Sequence, residues 1–414
     1  MELKSLKSNY ITNVIILLLG TGLSQIIPFA ASPILSRLYS PEAFGVLGSY
    51  TALVAIFSVF LNLRYDLAII KPTLIKSSLE LTYFTFVTSI FITFLLSLVI
   101  FVMYFVFNIQ FQLGYLILFV PISAFLMAQN STLNTLLNRK KKYKRRGKLL
   151  VITNSGHVIY SIIYSFFGSF GLIFGNLSGN LTSFLINFKR LSKSFTNQKI
   201  NKKLILEYKN FPLFLLPSTL LEKLSTNLPV IFLYYIFGPV QTGIFVFASK
   251  LSSAPIGMIC LSIGEVYRQK AAEDIANNGN CSRVFYDTRK FLIFSGSIVL
   301  LIAFFLGETL FPIIFGPEWI KAGEVVKFFS IMLGLNIIST SLSYSIVFSD
   351  FHKYDTLIQL LRLILIITSI TIAYFTNDFM LFIITYVFSY SIYYILHSII
   401  QEISIRKLHS KNDK

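Results

Sequence analysis

Ionisable side chains inside long apolar runs are the first places to look for chemistry. Charge is costly in hydrocarbon, so residues kept there mark ion or substrate paths. Glu222, Lys223, Lys250, Lys327 and Arg362 all lie in such runs. Four of these five are basic, so a cavity they lined would prefer anions. Glu222 and Lys223 fall about ten residues into their run, roughly 15 Å deep at ~1.5 Å per residue. Lys327 and Arg362 lie nearer the ends, where long side chains can snorkel to the interface. Lys250 has two open roles, a ligand facing a lumen or an ion pair with Glu222. Arg64 and Asp66 close one apolar run, and Arg37 follows the run before it.

Hydroxyls and amides form stripes beside these charges. Tyr386, Tyr390, Tyr393, Tyr394, His397 and Gln401 share one helix face at ~100° per residue. That face either lines a lumen or packs against another helix with its hydroxyls satisfied. A histidine there can change charge near physiological pH, so His397 and Glu222 are the candidate ion-coupling groups. Ser123, Asn130 and Asn134 form a second stripe, and Ser218, Glu222, Ser225 and Pro229 a third.

Catalytic constellations are absent from the sequence. There is no GxGxxG, Walker loop, GxSxG or HExxH. Cys260 and Cys281 offer neither a disulfide framework nor metal-ligand spacing. Asp350, His352 and Asp355 come closest to a metal set, but a charged connection beside a membrane needs no ligand role. We therefore expect no enzyme activity, no cofactor and no metal.

The elements that must position these residues are membrane helices. The 414 residues are 55% hydrophobic and only 13% charged, against about 25% charged in ordinary domains. Mean hydropathy is +0.71. A single Trp and long unbroken apolar runs exclude a porin-like barrel. Twelve spans are expected near 11–34, 44–66, 82–107, 113–137, 149–168, 170–188, 213–237, 242–264, 290–314, 325–348, 357–375 and 378–401. With the N-terminus inside, cytoplasmic segments, counted with Arg64 and Lys290 at the span ends beside them, hold 30 of the 36 Lys and Arg residues. Arg37 and Lys321 alone lie outside, so the positive-inside rule puts both termini in the cytoplasm. It also explains the net charge of +18 without nucleic acid. The basic run Arg139–Lys148 reads as a topology anchor, with a partner or anionic-lipid site as the alternative. The short basic lead before the first span lacks a signal-peptide cleavage pattern.

An internal repeat divides the chain. Tyr39-Ser-Pro-Glu-Ala-Phe-Gly-Val46 and Phe237-Gly-Pro-Val-Gln-Thr-Gly-Ile244 share aromatic-small-Pro followed by Gly, at an offset of 198. Two halves of even span number should be related by an axis along the membrane normal. The expected domains are an N-terminal six-helix lobe (1–190), a cytoplasmic linker (191–212), a C-terminal six-helix lobe (213–401) and a tail (402–414). Gly175 to Gly179 is a small-xxx-small packing face.

Family likeness rests on three stretches. Pro33-Ile-Leu-Ser-Arg-Leu-Tyr-Ser-Pro-Glu-Ala-Phe-Gly45 with Leu63-Arg-Tyr-Asp-Leu-Ala-Ile-Ile70 resembles the N-terminal signature of Wzx-type polysaccharide flippases. Phe211-Pro212, Gly243-Ile-Phe-Val-Phe-Ala-Ser-Lys250 and Pro255 are similar to the start of that family's second half. Phe315-Gly-Pro-Glu-Trp-Ile-Lys-Ala-Gly323 resembles its outer-loop motif. The likeness implies an all-α MOP-superfamily, MATE-like fold of about 12 transmembrane helices in two six-helix lobes around a central cavity. It implies transport of an undecaprenyl-diphosphate-linked oligosaccharide across the bacterial inner membrane for O-antigen or capsule assembly. It further implies a cationic lumen, for which Arg37, Arg64, Lys250 and Arg362 are the candidates; Arg362 lies outside the matching motifs. Expected partners are the lipid-linked glycan, membrane lipids, and a glycan polymerase with its chain-length machinery. The alternative is a MATE-like ion-coupled exporter of a small molecule. A membrane polymerase or transferase is disfavoured by the short outer loops.

The charge distribution places 138–148 inside the cell and Trp319 outside. A cysteine at Glu318 should react with an impermeant maleimide in intact cells, and one at Asn138 should be protected. The opposite pattern would invert the topology.

Overall fold

Hydrocarbon offers no hydrogen bonds, so a spanning backbone must satisfy its own amides and carbonyls. The computed structural model answers that demand with helices, and among the described residues it contains no strand. It describes residues 20, 22–195, 198, 200–348 and 352–412. The start of the first expected span lies outside them, as does Asp350, and the side chains of His352 and Asp355 are not described.

The first helix, α1, covers 22–38. It is followed by α2 (Pro41–Leu61), α3 (Tyr65–Ala68), α4 (Ile75–Phe101), α5 (Val120–Arg139), α6 (Tyr143–Ile163), α7 (Ser169–Phe195), α8 (Lys202–Glu207) and α9 (Leu216–Asn278). The chain continues through α10 (Ser282–Phe315), α11 (Ile320–Ser341), α12 (Tyr344–Phe348), α13 (His352–Thr376) and α14 (Phe379–Asn412). Eight helical runs among the described residues are long and apolar enough to cross a membrane. One of them contains the 63-residue α9, which would measure ~95 Å if straight, three times a ~30 Å hydrocarbon core. It is not straight. Gly238 takes φ 79°, ψ −176°, a conformation open to glycine, and divides α9 into two lengths that can each span. Helices α1, α6 and α7 overlap three further expected spans without reaching that length and hydropathy among the described residues, and the protein is an all-α polytopic membrane protein.

Two compact units are formed, Met1–Tyr235 and Ile236–Lys414. In the first, Ser40 caps α2, its side chain accepting from the Ala43 amide at 3.4 Å. Pro41 sits in the first turn, where its missing N–H is no loss. Pro239 has the same place after Gly238, whose carbonyl accepts from Thr242 Oγ1 at 2.8 Å. The sequence repeat is thus a repeated helix start. Helices α6 and α7 pack through the expected small-residue face: a methyl group on Gly175 would collide with Ser161, and one on Gly179 with His157.

The second unit closes one end with an aromatic cluster. Gly316, at φ 109°, turns the chain out of α10, and the short Pro317–Trp319 helix follows. Trp319 is fully buried. Its ring stacks on Phe247 with centroids 3.8 Å apart, and Phe315 meets Phe247 edge-on at 5.1 Å. Trp319→Ala should cost ~3–5 kcal/mol and lower the thermal midpoint of the purified protein in detergent. Trp319→Phe should cost less. An unchanged midpoint for Trp319→Ala would show that the cluster does not hold this end together.

Candidate functional site

The two units carry one arginine-centred site each. In the first unit, α2 stops at Leu61 and the chain reverses through Asn62-Leu-Arg-Tyr-Asp66. Leu63 and Arg64 both adopt left-handed backbone conformations, with φ 46° and 59°. Non-glycine residues in such regions cost about 1–3 kcal/mol each and persist where their surroundings hold them. Here they are held from several directions. Asn62 Nδ2 donates to the Ala128 carbonyl of α5 at 2.9 Å. Ser89 of α4 donates to Asn62 Oδ1 at 3.0 Å and to the Leu61 carbonyl at 2.9 Å. The Tyr65 hydroxyl donates to the Ile205 carbonyl at 3.2 Å.

Asp66 is the acid of this turn, with its side chain 3% exposed. Its Oδ2 lies 3.8 Å from Arg64 Nη1 and accepts from Ser131 Oγ at 3.4 Å. Its Oδ1 and the Arg64 Nε are buried without a hydrogen-bond partner. The residue lies beyond the span that ends at Leu61, and burial holds its carboxyl above the usual range. Arg64, Ser131 and the nearby Asp66 and Leu67 amides oppose that shift.

Elsewhere in this unit, polar groups are spent on packing. Asn130 Nδ2 donates to the Asn180 carbonyl at 3.0 Å, and Asn180 Nδ2 lies 3.1 Å from His157 Nε2. Ser123 shares a 2.5 Å hydrogen bond with the Tyr50 hydroxyl. Two members of the second stripe therefore join helices. Arg37 is exposed on the last turn of α1. Glu222, expected to be deep, has a side chain 58% exposed and is 3.8 Å from the adjacent Lys223. Depth counted along a span says nothing about which way a helix face points. In the basic run, Arg139 Nη2 caps the Pro72 and Thr73 carbonyls at 2.5 and 2.9 Å, and Arg145 Nη2 donates to Asn187 Oδ1 at 3.0 Å. Lys140 is pushed below the usual lysine range by burial and then by Lys142 and Arg145.

In the second unit, Arg362 of α13 is 9% exposed, with its guanidinium 4.9 Å from the centroid of the Tyr393 ring on α14. Its Nε and Nη2 have no hydrogen-bond partner. Gln359, one turn earlier, donates to the Tyr393 hydroxyl at 3.1 Å. Tyr386 and Tyr390 stand 4.7 Å apart, and Tyr390 and Tyr394 5.9 Å. The guanidinium thus sits against the π face of Tyr393, which attracts it without neutralising it. His397 is buried on the same helix. Its Nδ1 is 2.6 Å from Ser339 Oγ of α11 and 3.1 Å from Gln401 Nε2, and Gln401 also donates to the Ser339 carbonyl at 2.8 Å. The far end of the tyrosine stripe therefore packs on α11, the second of the two readings left open by the sequence. Lys250 is exposed on α9 and has no ion pair among the described residues.

A family model described as polysaccharide biosynthesis protein matches residues 34–324, well over half the chain. The chain belongs to that family. No curated protein matches it. Among solved structures, it is similar to a multidrug resistance MATE transporter of the MOP superfamily in its inward-facing conformation. The TM-score is 0.69 at 12% identity, covering 97% of this chain and 99% of the other. The outward-facing conformation of a MATE transporter gives 0.61 at 13%, covering 96% of each chain. A MOP superfamily transporter from Pyrococcus furiosus, described as having a binding pocket of reverse polarity that suggests a different function, gives 0.61 at 14%, again covering 96% of each. The fold is that of the MOP transporters. Family and fold together agree with the Wzx-type flippase likeness.

Arg37, Arg64, Glu222 and Lys250 fall within the stretch matched by the polysaccharide biosynthesis family, whereas Arg362 and His397 lie beyond it. Sequence reading missed Asn62, Ser89, Ser131, Asn180 and Gln359. Asn62 immediately precedes the Leu63-Arg-Tyr-Asp motif, and a polar residue ending an apolar run is the signal that would have found it. Replacing His397 by Leu should remove the bond to Ser339 Oγ and cost about 1–3 kcal/mol, read as a lower midpoint of unfolding in detergent. A midpoint equal to that of the native protein would deny His397 its packing role.

Proposed function

We propose that this protein flips an undecaprenyl-diphosphate-linked oligosaccharide repeat unit from the cytoplasmic to the outer leaflet of the bacterial inner membrane, by alternating access, for O-antigen or capsule assembly. In this reading both termini are cytoplasmic. The diphosphate-sugar head cannot cross ~30 Å of hydrocarbon alone, because unpaired charge is expelled from an apolar medium. A protein that carries it must supply donors and positive charge, while the polyprenyl tail stays in lipid.

The observation that carries the reading is a polysaccharide-biosynthesis family placed on a transporter fold in which Lys250 and Arg362 have no carboxylate partner among the described residues, whereas Lys327 pairs with Glu308 at 2.9 Å and Lys223 with Glu222 at 3.8 Å. Arg362 keeps two buried N–H groups unused, and Lys250 is open on its helix. Arg64, with a side chain 21% exposed, has a single long-range acid. Each presents charge to an anionic head, as does Arg37. The polymerase and chain-length proteins that consume the flipped unit are the natural downstream partners.

In a deletion strain, lipid-linked repeat units should accumulate in the inner leaflet and surface glycan should disappear. Normal glycan display with raised sensitivity to small toxic compounds would favour the exporter instead. In complementation, Lys250→Ala and Arg362→Ala should each lower transport about ten- to a hundredfold, the range of a hydrogen bond to a charged group. Lys250→Arg should retain part of it. Full display from both alanine variants, at normal protein level, would remove these cations from the mechanism.

A further inference from the structure

Asp66 is a buried acid to which the flippase reading gives no task. Its carboxyl group is almost wholly enclosed, one oxygen makes no well-formed hydrogen bond although the Asp66 and Leu67 amides act on the carboxylate, and the other meets Arg64 at 3.8 Å. Charge-assisted N–H···O bonds are ordinarily ~2.7–2.9 Å long, so the pair is loose. The turn that holds it is built from two successive left-handed residues fixed by α4 and α5, an arrangement that clusters at switching sites.

We propose that Asp66 is a proton-binding site whose charge state decides whether Arg64 is held within the turn or free to take an anion. The identity of that anion, the diphosphate head, rests on the flippase reading; the proton site does not. When Asp66 is ionised, it retains Arg64. When it takes a proton from hydronium, one O–H bond forms on the carboxylate as one breaks in hydronium to leave water, the attraction lapses, and the guanidinium becomes available to phosphate. The converse follows by linkage: an anion that draws Arg64 away removes the charge that kept Asp66 ionised, so binding is accompanied by uptake of one proton.

The groups around Asp66 leave this equilibrium to Arg64. From α5 it meets the Ser131 hydroxyl. On α4, Ser89 is engaged with Asn62, and Glu80 accepts from Asn201 at 3.3 Å. Tyr65 is bonded to the Ile205 carbonyl, and Arg139 to Pro72 and Thr73. The 211–215 turn, which also packs on α3, is Phe-Pro-Leu-Phe-Leu and brings no ionisable side chain. Arg64 is the charged side chain that acts on Asp66.

Two measurements on the full-length protein in nanodiscs test this. Infrared difference spectra recorded on pH jumps, without substrate, should show a protonated-carboxyl band in the native protein. Asp66→Asn should abolish the band, and Arg64→Gln should move its midpoint to higher pH, since the cation favours the ionised form. If Asp66→Asn does not fold, Asp66→Glu should retain a band with a changed midpoint. Undecaprenyl diphosphate without sugar then serves as the binding probe. Its affinity for the native protein should rise more steeply with falling pH than for Asp66→Asn, by up to about tenfold per pH unit for one linked proton. A band unaltered by substitution of Asp66, or one responding to sodium rather than pH, would overturn the proposal. Equal pH slopes in the native protein and Asp66→Asn would overturn it too. Absence of probe binding by the native protein at every pH would count against the flippase reading, and the infrared result would still decide Asp66.

Discussion

Within hydrocarbon, each amide and carbonyl must find a partner in the protein, and the rest of this structure follows from that constraint. It makes the chain helical, and it dictates what surrounds each interruption. Where α2 ends, Asn62 and Ser89 bond the carbonyls of Ala128 and Leu61. Where the chain turns at 72–73, Arg139 supplies two donors. Where α9 breaks at Gly238, Thr242 bonds the freed carbonyl and Pro239 removes a donor that would have had no acceptor. Pro41 and Pro317 do the same at two other helix starts. Arg64 and Asp66 stand beside one of these breaks, where polar groups are already admitted, whereas Lys250, Arg362 and His397 lie within continuous helices.

The same constraint determines how far a sequence can be read. Spans and their order were legible because apolar length is set by bilayer thickness, and Ser40-Pro41 and Gly238-Pro239 mark helix starts by their chemistry. Helix ends were not. α4 begins at Ile75 rather than near 82, α10 at Ser282 rather than 290, and α14 runs to Asn412 rather than 401. Hydropathy falls at the interface, while backbone hydrogen bonding continues into water. Orientation was also beyond reach. Periodicity relates one side chain to the next on the same helix, but it does not say which neighbour the face meets. His397 shares an arc with four tyrosines, yet its ring nitrogen is bonded to Ser339 on another helix. Glu222 and Lys223, both well inside their span, pair loosely with each other at an exposed face. The left-handed pair Leu63 and Arg64 left no mark in the sequence, since neither is glycine.

Arg64 and Arg362 show two ways of keeping a guanidinium out of water, and the difference has a consequence. Tyr393 favours Arg362 through the negative face of its ring, but an aromatic ring carries no net charge. The positive charge of that site is therefore permanent, with buried N–H groups still unused. Arg64 has a carboxylate instead, so its site is neutral when Asp66 is ionised and positive when Asp66 is protonated. Under the proposed mechanism, attraction for an anion would be constant in the second unit and conditional in the first. A carrier that only had to hold its cargo would be served by two permanent charges. One that must also let go gains from a cation with a competitor built into the same turn, five residues past the end of its helix.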